Sequence, residues 1–112
     1  MLNKENRLKK RKEFGYIYNN GDYTYSKSLT LLYTENRQKR TKIGFSVSKK
    51  VGKAYLRNKI KRQLRAIIRE NFDKLPKFKN YVFVAKPQIV ELSYKEIERD
   101  VMYVISKVKN IK

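Results

Sequence analysis

The residues best suited to chemistry lie in one continuous stretch, Lys49-Lys50-Val51-Gly52-Lys53-Ala54-Tyr55-Leu56-Arg57-Asn58-Lys59-Ile60-Lys61-Arg62-Gln63-Leu64-Arg65. Cationic side chains at this density can neutralise and hydrogen-bond phosphate oxygens, Arg as a planar fork and Lys as a point charge. From Arg37 to Arg69 the chain carries 13 Lys or Arg and no Asp or Glu, with Glu35 and Glu70 as the bracketing acids. A smaller basic cluster, Arg7 with Lys9, Lys10, Arg11 and Lys12, lies near the N-terminus. Residues 91–112, by contrast, mix five basic with four acidic side chains, the pattern of an ordinary solvated helix surface. Solvated surfaces usually intersperse the two signs, so a run this unbalanced points one end of the molecule at a polyanion.

No catalytic set accompanies the charge. The chain has no His and no Cys, which removes the imidazole base, the thiolate nucleophile and the usual zinc ligands. Three Asp (Asp22, Asp73, Asp100) and seven Glu are present, none of them between Asn36 and Arg69. A nuclease made of protein alone needs convergent carboxylates to hold its metal. Glu96, Glu98 and Asp100 are close in sequence, but on a helix starting at Ser93 they point in different directions. Gly52-Lys53 is not a phosphate loop, since the motif would need Gly at Val47 and a hydroxyl at Ala54. Ser46 and Ser48 alternate with Phe45 and Val47 and read as strand residues. By itself the polypeptide reads as non-catalytic.

These residues need a scaffold, and hydrophobic periodicity supplies one. Phe14, Ile17 and Tyr18 predict a short helix over residues 11–19, stopped at Asn20-Gly21. Strands are expected over 22–26, 29–35 and 41–48, joined by short polar stretches as an antiparallel meander. Gly44 inside the third suggests close backbone approach or a bulge. Leu56, Ile60, Leu64, Ile67 and Ile68 make the apolar face of a second helix, with Asn58, Arg62 and Arg69 opposite it and Arg65 close by. Tyr81 to Ala85 reads as a fourth strand. Ser93 with Glu96 forms a capping box, and Ile97, Val101, Val104, Ile105 and Val108 mark the buried stripe of a last helix. The order α-β-β-β-α-β-α predicts one α+β sandwich over residues 1–112, a four-stranded sheet with helices against it.

At 112 residues with a net charge of +19, such a domain buries a modest core against considerable self-repulsion. Leu, Ile, Val and Phe make up more than a quarter of the chain, above the level at which disorder is expected. Residues 1–12 hold no apolar segment of a signal peptide, and no stretch approaches a membrane span. The expected compartment is the cytoplasm.

Zinc-finger, basic-zipper and RNA-recognition-sheet motifs are absent, and the flanking strands argue against a helix-turn-helix. The signature Arg57-Asn58-Lys59, followed by Ile60-Lys61-Arg62 and Arg65, resembles that of the bacterial ribonuclease P protein subunit. Leu8-Lys9-Lys10, Phe14, Gly21 and the run Gly44-Phe45-Ser46-Val47-Ser48-Lys49-Lys50 resemble that family in the same order. The third signature residue is Lys59 where Arg is usual, which keeps the charge but not the planar fork. Tyr18 stands where Phe is common and keeps a stacking surface.

The resemblance implies a division of labour. A catalytic RNA, with Mg²⁺ at its own active site, cuts precursor tRNA endonucleolytically to the mature 5′ end, and the protein is an accessory subunit. The implied RNA-binding residues are Lys49, Lys50, Lys53, Arg57, Asn58, Lys59, Lys61, Arg62 and Arg65. Phe14, Tyr18 and Tyr33 are implied to hold the single-stranded 5′ leader in a cleft between sheet and N-terminal helix. The implied partners are the catalytic RNA and precursor tRNA, with no DNA and no membrane, and an unusual left-handed β-α-β crossover is implied around the signature helix. Composition alone would equally suit a ribosomal protein or a general RNA chaperone; the signature and the Phe14/Tyr18 pair separate the readings. A cationic membrane-surface peptide would be one long amphipathic helix, and the β-rich middle of the chain opposes it.

Because self-repulsion opposes the compact state, the midpoint of thermal unfolding in dilute buffer should rise on adding sulfate or polyphosphate. The expected gain is about 3 kcal/mol at a hundredfold excess over Kd. Thermal melts followed by circular dichroism measure it, and an invariant midpoint would mean that charge repulsion does not limit stability.

Overall fold

Apolar residues at alternating positions build the strands, and a strand apolar on both sides takes the middle of the sheet. The computed structural model describes residues 6–8, 10–36 and 39–108. Its elements are α1 (Arg11–Asn20), β1 (Asp22–Tyr25), β2 (Leu29–Glu35), β3 (Lys42–Ser46), α2 (Ala54–Glu70), β4 (Lys79–Ala85) and α3 (Tyr94–Ser106). Short 3-10 turns occupy Lys49–Val51, Phe72–Lys74 and Pro87–Glu91. The element order and the four-stranded sheet agree with the α+β sandwich expected from the sequence.

The strand pairing differs from the expected meander. Strand order is β1-β2-β4-β3, so β4 lies between β2 and β3. It runs antiparallel to β2, from Leu29↔Ala85 to Glu35↔Lys79, and parallel to β3, from Lys42↔Asn80 to Ser46↔Val84. The reason lies in β4 itself: Tyr81, Val82 and Phe83 are all fully buried, although successive residues face opposite sides of the sheet. Only a central position covers both sides. Parallel neighbours then require a crossover connection, and α2 provides it.

One face of the sheet carries Leu29, Leu31, Tyr33, Ile43, Tyr81, Phe83 and Ala85. These pack with Ile60, Leu64, Ile67 and Ile68 of α2 and with Ile97, Val101, Val104 and Ile105 of α3. The opposite face is covered only in part, where Leu8, Phe14 and Ile17 meet Leu32, Val82 and Val84. Here the close approach anticipated at Gly44 is realised. A Cβ at that position would lie 2.5 Å from Cζ of Phe14, so the aromatic edge rests on bare backbone.

Polar contacts fix the helices to this frame. Ser93 and Glu96 form the capping box of α3. The Thr24 hydroxyl donates to the Val104 carbonyl at 2.9 Å, and the Ser28 hydroxyl bonds Asp100. Lys79 is buried; its ammonium pairs with Glu35 and lies 5.8 Å from the centre of the Tyr33 ring. Among the described residues no helix is long and apolar enough to cross a membrane.

The Tyr81 hydroxyl donates to the Pro76 carbonyl at 2.6 Å. Burial, reinforced by Glu35 and Tyr33, pushes the phenol well above its ordinary value. The folded state therefore keeps this proton where the unfolded chain begins to lose it, near pH ~10. The associated stability is complete below that pH and declines as pH rises past it. Tyr81→Phe should cost about 1 kcal/mol at neutral pH through the lost hydrogen bond and make the alkaline fall in stability shallower. Urea unfolding across a pH series reads both effects.

Candidate nucleic-acid interface

The basic helix is entered through a tight turn. At its start the Ser48 hydroxyl accepts from the Lys50 amide at 3.3 Å. Gly52 then adopts φ 152°, a conformation that L side chains rarely take. Nε of Arg57 donates to the Gly52 carbonyl at 3.1 Å, binding the first turn of α2 to this entry. Arg57 is thus half-buried and partly committed to structure, while Lys49, Lys50 and Lys53 project around the entry, exposed.

Along α2 the buried residues are Ile60, Leu64, Ile67 and Ile68, and Asn58, Lys59, Arg62, Arg65 and Arg69 are exposed. Lys61 is half-buried at the margin. The first turn contains no acidic residue, so lysines rather than carboxylates face the positive end of the helix dipole. That arrangement is unfavourable until an anion arrives.

A cavity of about 220 Å³ joins this helix to the opposite side of the sheet edge. It is lined by Arg7, Leu8, Phe14, Ile43, Gly44, Phe45, Lys61 and Arg65. Arg7 reaches it because the preceding chain is fastened along β3. The Asn6 amide donates to the Thr41 carbonyl at 2.8 Å, and the Leu8 N–H to the Ile43 carbonyl at 2.9 Å. Nε of Arg7 is buried and has no hydrogen-bond partner among the described residues. An anionic oxygen in this cavity would meet Arg7, Lys61 and Arg65 beside the edge of an aromatic ring.

Of the expected leader-binding residues, Phe14 and Tyr18 lie one turn apart on α1, Phe14 half-buried on Gly44 and Tyr18 exposed. Tyr33 is a correction. It is 4 % exposed, and its ring lies 6.4 Å from that of Tyr81 in the layer facing α2 and α3. Tyr33 shares a strand face with Leu29 and Leu31, and the residue presented to the Phe14 side is Leu32. The adjacent leucines at 31 and 32 left that parity open in the sequence. Arg7 was visible there only as one cation of a cluster, because its placement depends on the pairing of residues 6–8 with β3. Lys9 and Arg37, members of the two basic runs, lie outside the described residues.

The floor beside Phe14 is made of cross-strand rows. Gly44, Val82, Leu32 and Tyr23 form one, and Ser46, Val84, Thr30 and Tyr25 the next. Phe14 and Ile17 cover the first row over Gly44 and Val82. In the second row Ser46, Val84 and Thr30 are half-buried and Tyr25 is exposed, leaving a groove along the wall of α1.

The acidic groups described in polar contacts serve structural partners: Glu13 with Lys42 at 3.2 Å, Glu35 with Lys79, and Asp100 with Ser28. Glu96 is held below the usual carboxylate range by hydrogen bonds from Ser93. Among the described residues no three His, Cys, Asp or Glu gather as a metal site.

Comparison with known proteins bears directly on this arrangement. The family model described as Ribonuclease P matches residues 2–109. The ribonuclease P protein component of Finegoldia magna is 38 % identical over 111 residues, covering 99 % of this chain and 97 % of its own. That of Nitratiruptor sp. is 40 % identical over 105 residues, covering 94 % of each. Among solved structures, the Staphylococcus aureus RNase P protein superposes with a TM-score of 0.88 at 27 % identity, covering 97 % of this chain and 100 % of that one. The Thermotoga maritima RNase P protein superposes with 0.85 at 25 % identity, covering 92 % and 97 %.

Exposed cations that each neutralise one phosphate contribute to the salt dependence of binding. Arg62→Ala and Arg65→Ala should each weaken binding to a structured RNA and reduce the slope of log K against log salt by about 0.7–0.9. Filter binding over a salt series measures it; an unaltered slope would assign the two side chains to solvent.

Proposed function

The chain belongs to the ribonuclease P protein family, and from that premise we propose how it serves 5′ maturation of tRNA within an endoribonuclease complex. The exposed face of α2 binds the catalytic RNA: Arg62 and Arg65 at its centre, with Asn58, Lys59 and Lys61 alongside, and Lys49, Lys50 and Lys53 at the helix entry. Arg57 contributes the part of its guanidinium that Gly52 does not hold. Phe14 and Tyr18 stack bases of the single-stranded 5′ leader, with Leu32 in the floor in place of Tyr33. Phosphate and sugar contacts of this kind position the RNA, while the stacked bases take a strand without strict sequence demand.

The observation that carries this reading is the cavity in which Lys61 and Arg65 of α2 meet Arg7 and Phe14. One strand can pass from the cationic helix to the aromatic wall without leaving the protein surface. The buried Nε of Arg7 offers an unused donor on that path. We place the Mg²⁺ of the reaction with the RNA, because Glu13, Glu35 and Asp100 are engaged with Lys42, Lys79 and Ser28. On this reading the chain lowers the electrostatic cost of bringing two RNAs together and holds the leader, and bond cleavage belongs to the RNA.

Reconstitution tests the division. The protein alone should leave precursor tRNA intact, and addition of the cognate RNA should give the mature 5′ end; metal-dependent cleavage by RNA-free protein would sink the proposal. In the complex, Phe14→Ala or Tyr18→Ala should cost about 1–3 kcal/mol in affinity for leader-bearing substrate, more than for mature tRNA. Equal losses on both would indicate a folding defect.

A further inference from the structure

The second face of the sheet continues past α1 to its edge strand, and there the chain shows two large, mostly exposed aromatic side chains. Tyr23 and Tyr25 are 64 % and 62 % exposed. Their rings stack on each other with centres 6.3 Å apart and planes 29° apart. They alternate with Thr24, which turns into the core against α3. Both therefore stand on the same face as Leu32 and Thr30, their cross-strand partners, the face that Phe14 touches at Gly44.

Their register makes them the outer ends of the two rows already described. From Ser46 on β3 through Val84 and Thr30 to Tyr25 the row crosses three strand spacings, about 14 Å. Its inner members are half-buried and its end is an open ring. The ammonium of Lys86 lies 5.2 Å from the centre of the Tyr25 ring and donates to the Ser26 carbonyl at 2.6 Å. A fixed positive charge thus stands beside an exposed π-face at the outer end of a partly covered row. Paired aromatic faces with an adjacent ammonium suit successive bases and the phosphate between them. A contiguous exposed aromatic patch marks an interaction surface, and this one runs on from the floor beside Phe14.

We propose that β1 extends the leader groove: Tyr23 and Tyr25 stack nucleotides of the 5′ leader that lie further from the cleavage site than those held at Phe14 and Tyr18, with Lys86 against their phosphates. The inference rests on the leader-binding reading of the same face and adds a second stacking platform to it. It makes the length of the leader, beyond the reach of Phe14 and Tyr18, a determinant of affinity.

The experiment uses the complex reconstituted with its cognate RNA and precursor tRNAs whose leaders are about 4 and about 12 nucleotides long, the range that one stacking groove can hold. Wild-type complex should bind the long-leader substrate more tightly. Tyr23→Thr/Tyr25→Thr, which keeps strand preference while removing both rings, should lower the ratio of long- to short-leader affinity by about fivefold or more. Tyr23→Phe/Tyr25→Phe should retain that ratio. A general folding loss would weaken both substrates together and leave the ratio unmoved, as would an irrelevant platform; an unmoved ratio overturns the proposal. Two further results overturn it in favour of another occupant. One is an equal loss of affinity for the catalytic RNA alone, and the other is loss of self-association by sedimentation, which would make β1 a chain-to-chain edge. Absence of 5′ processing by the wild-type complex would instead remove the leader-binding reading itself, and the extension with it.

Discussion

The placement of β4 between β2 and β3 is the constraint on which the rest depends. Tyr81 and Phe83 bury toward α2 and α3 while Val82 buries toward α1, so the strand needs cover on both sides. With β4 central, β3 takes the outer position and pairs parallel, and α2 must cross over to connect them. That crossover sets the basic helix against one layer of the sheet, where Lys61 and Arg65 share a cavity with Ile43, Gly44 and Phe45 of β3. The same pairing exposes the other edge of β3 to residues 6–8, whose bonds to Thr41 and Ile43 bring Arg7 into the cavity. Cationic and aromatic elements that are far apart in the chain meet at β3 because β4 displaces it from β2.

Packing and electrostatics then divide the two sides of α2 between them. Ile60, Leu64, Ile67 and Ile68 are buried almost completely and hold the helix in place. Burial of that apolar area offsets the mutual repulsion of cations gathered on the other side. Of the carboxylates in ion pairs, Glu13 is spent on Lys42 and Glu35 on the buried Lys79, both away from α2's own sequence. Removing Glu35 would leave the buried Lys79 ammonium without its ion-pair partner, beside the Tyr33 ring. The positive potential of α2 is therefore left intact, directed outward and supported from beneath.

Much of this was legible in the sequence because periodicity is a local property. The three helices followed from apolar spacing and from Ser93 with Glu96, and β2 was bounded as found. The partner of β3 was not legible: a short β2–β3 connection favours a hairpin locally, and only burial on both faces of β4 overrides it. The face of Tyr33 escaped for a related reason. Parity along β2 depends on which of two adjacent leucines enters the larger core, and both are equally apolar. Arg7 and the rows ending in Tyr23 and Tyr25 depend on register across four strands, which no local pattern encodes. The run Arg57-Asn58-Lys59 lies on α2, but nothing in it discloses the hydrogen bond that draws Arg57 back to Gly52.

Lys59 bears on how that helix can work. Without the fork of an arginine, residue 59 contributes charge but little geometry. Arg57 spends its Nε on the entry turn, which fixes its direction while occupying part of its own fork. On the proposed reading, directional phosphate contact on α2 would fall to Arg62 and Arg65, of which Arg65 lines the cavity with Arg7 and Phe14. The α2 cations at that cavity are thus one exposed arginine, Arg65, and the half-buried Lys61. On the proposed reading, the chain would act by setting the angle between an RNA on its helix and a strand on its sheet.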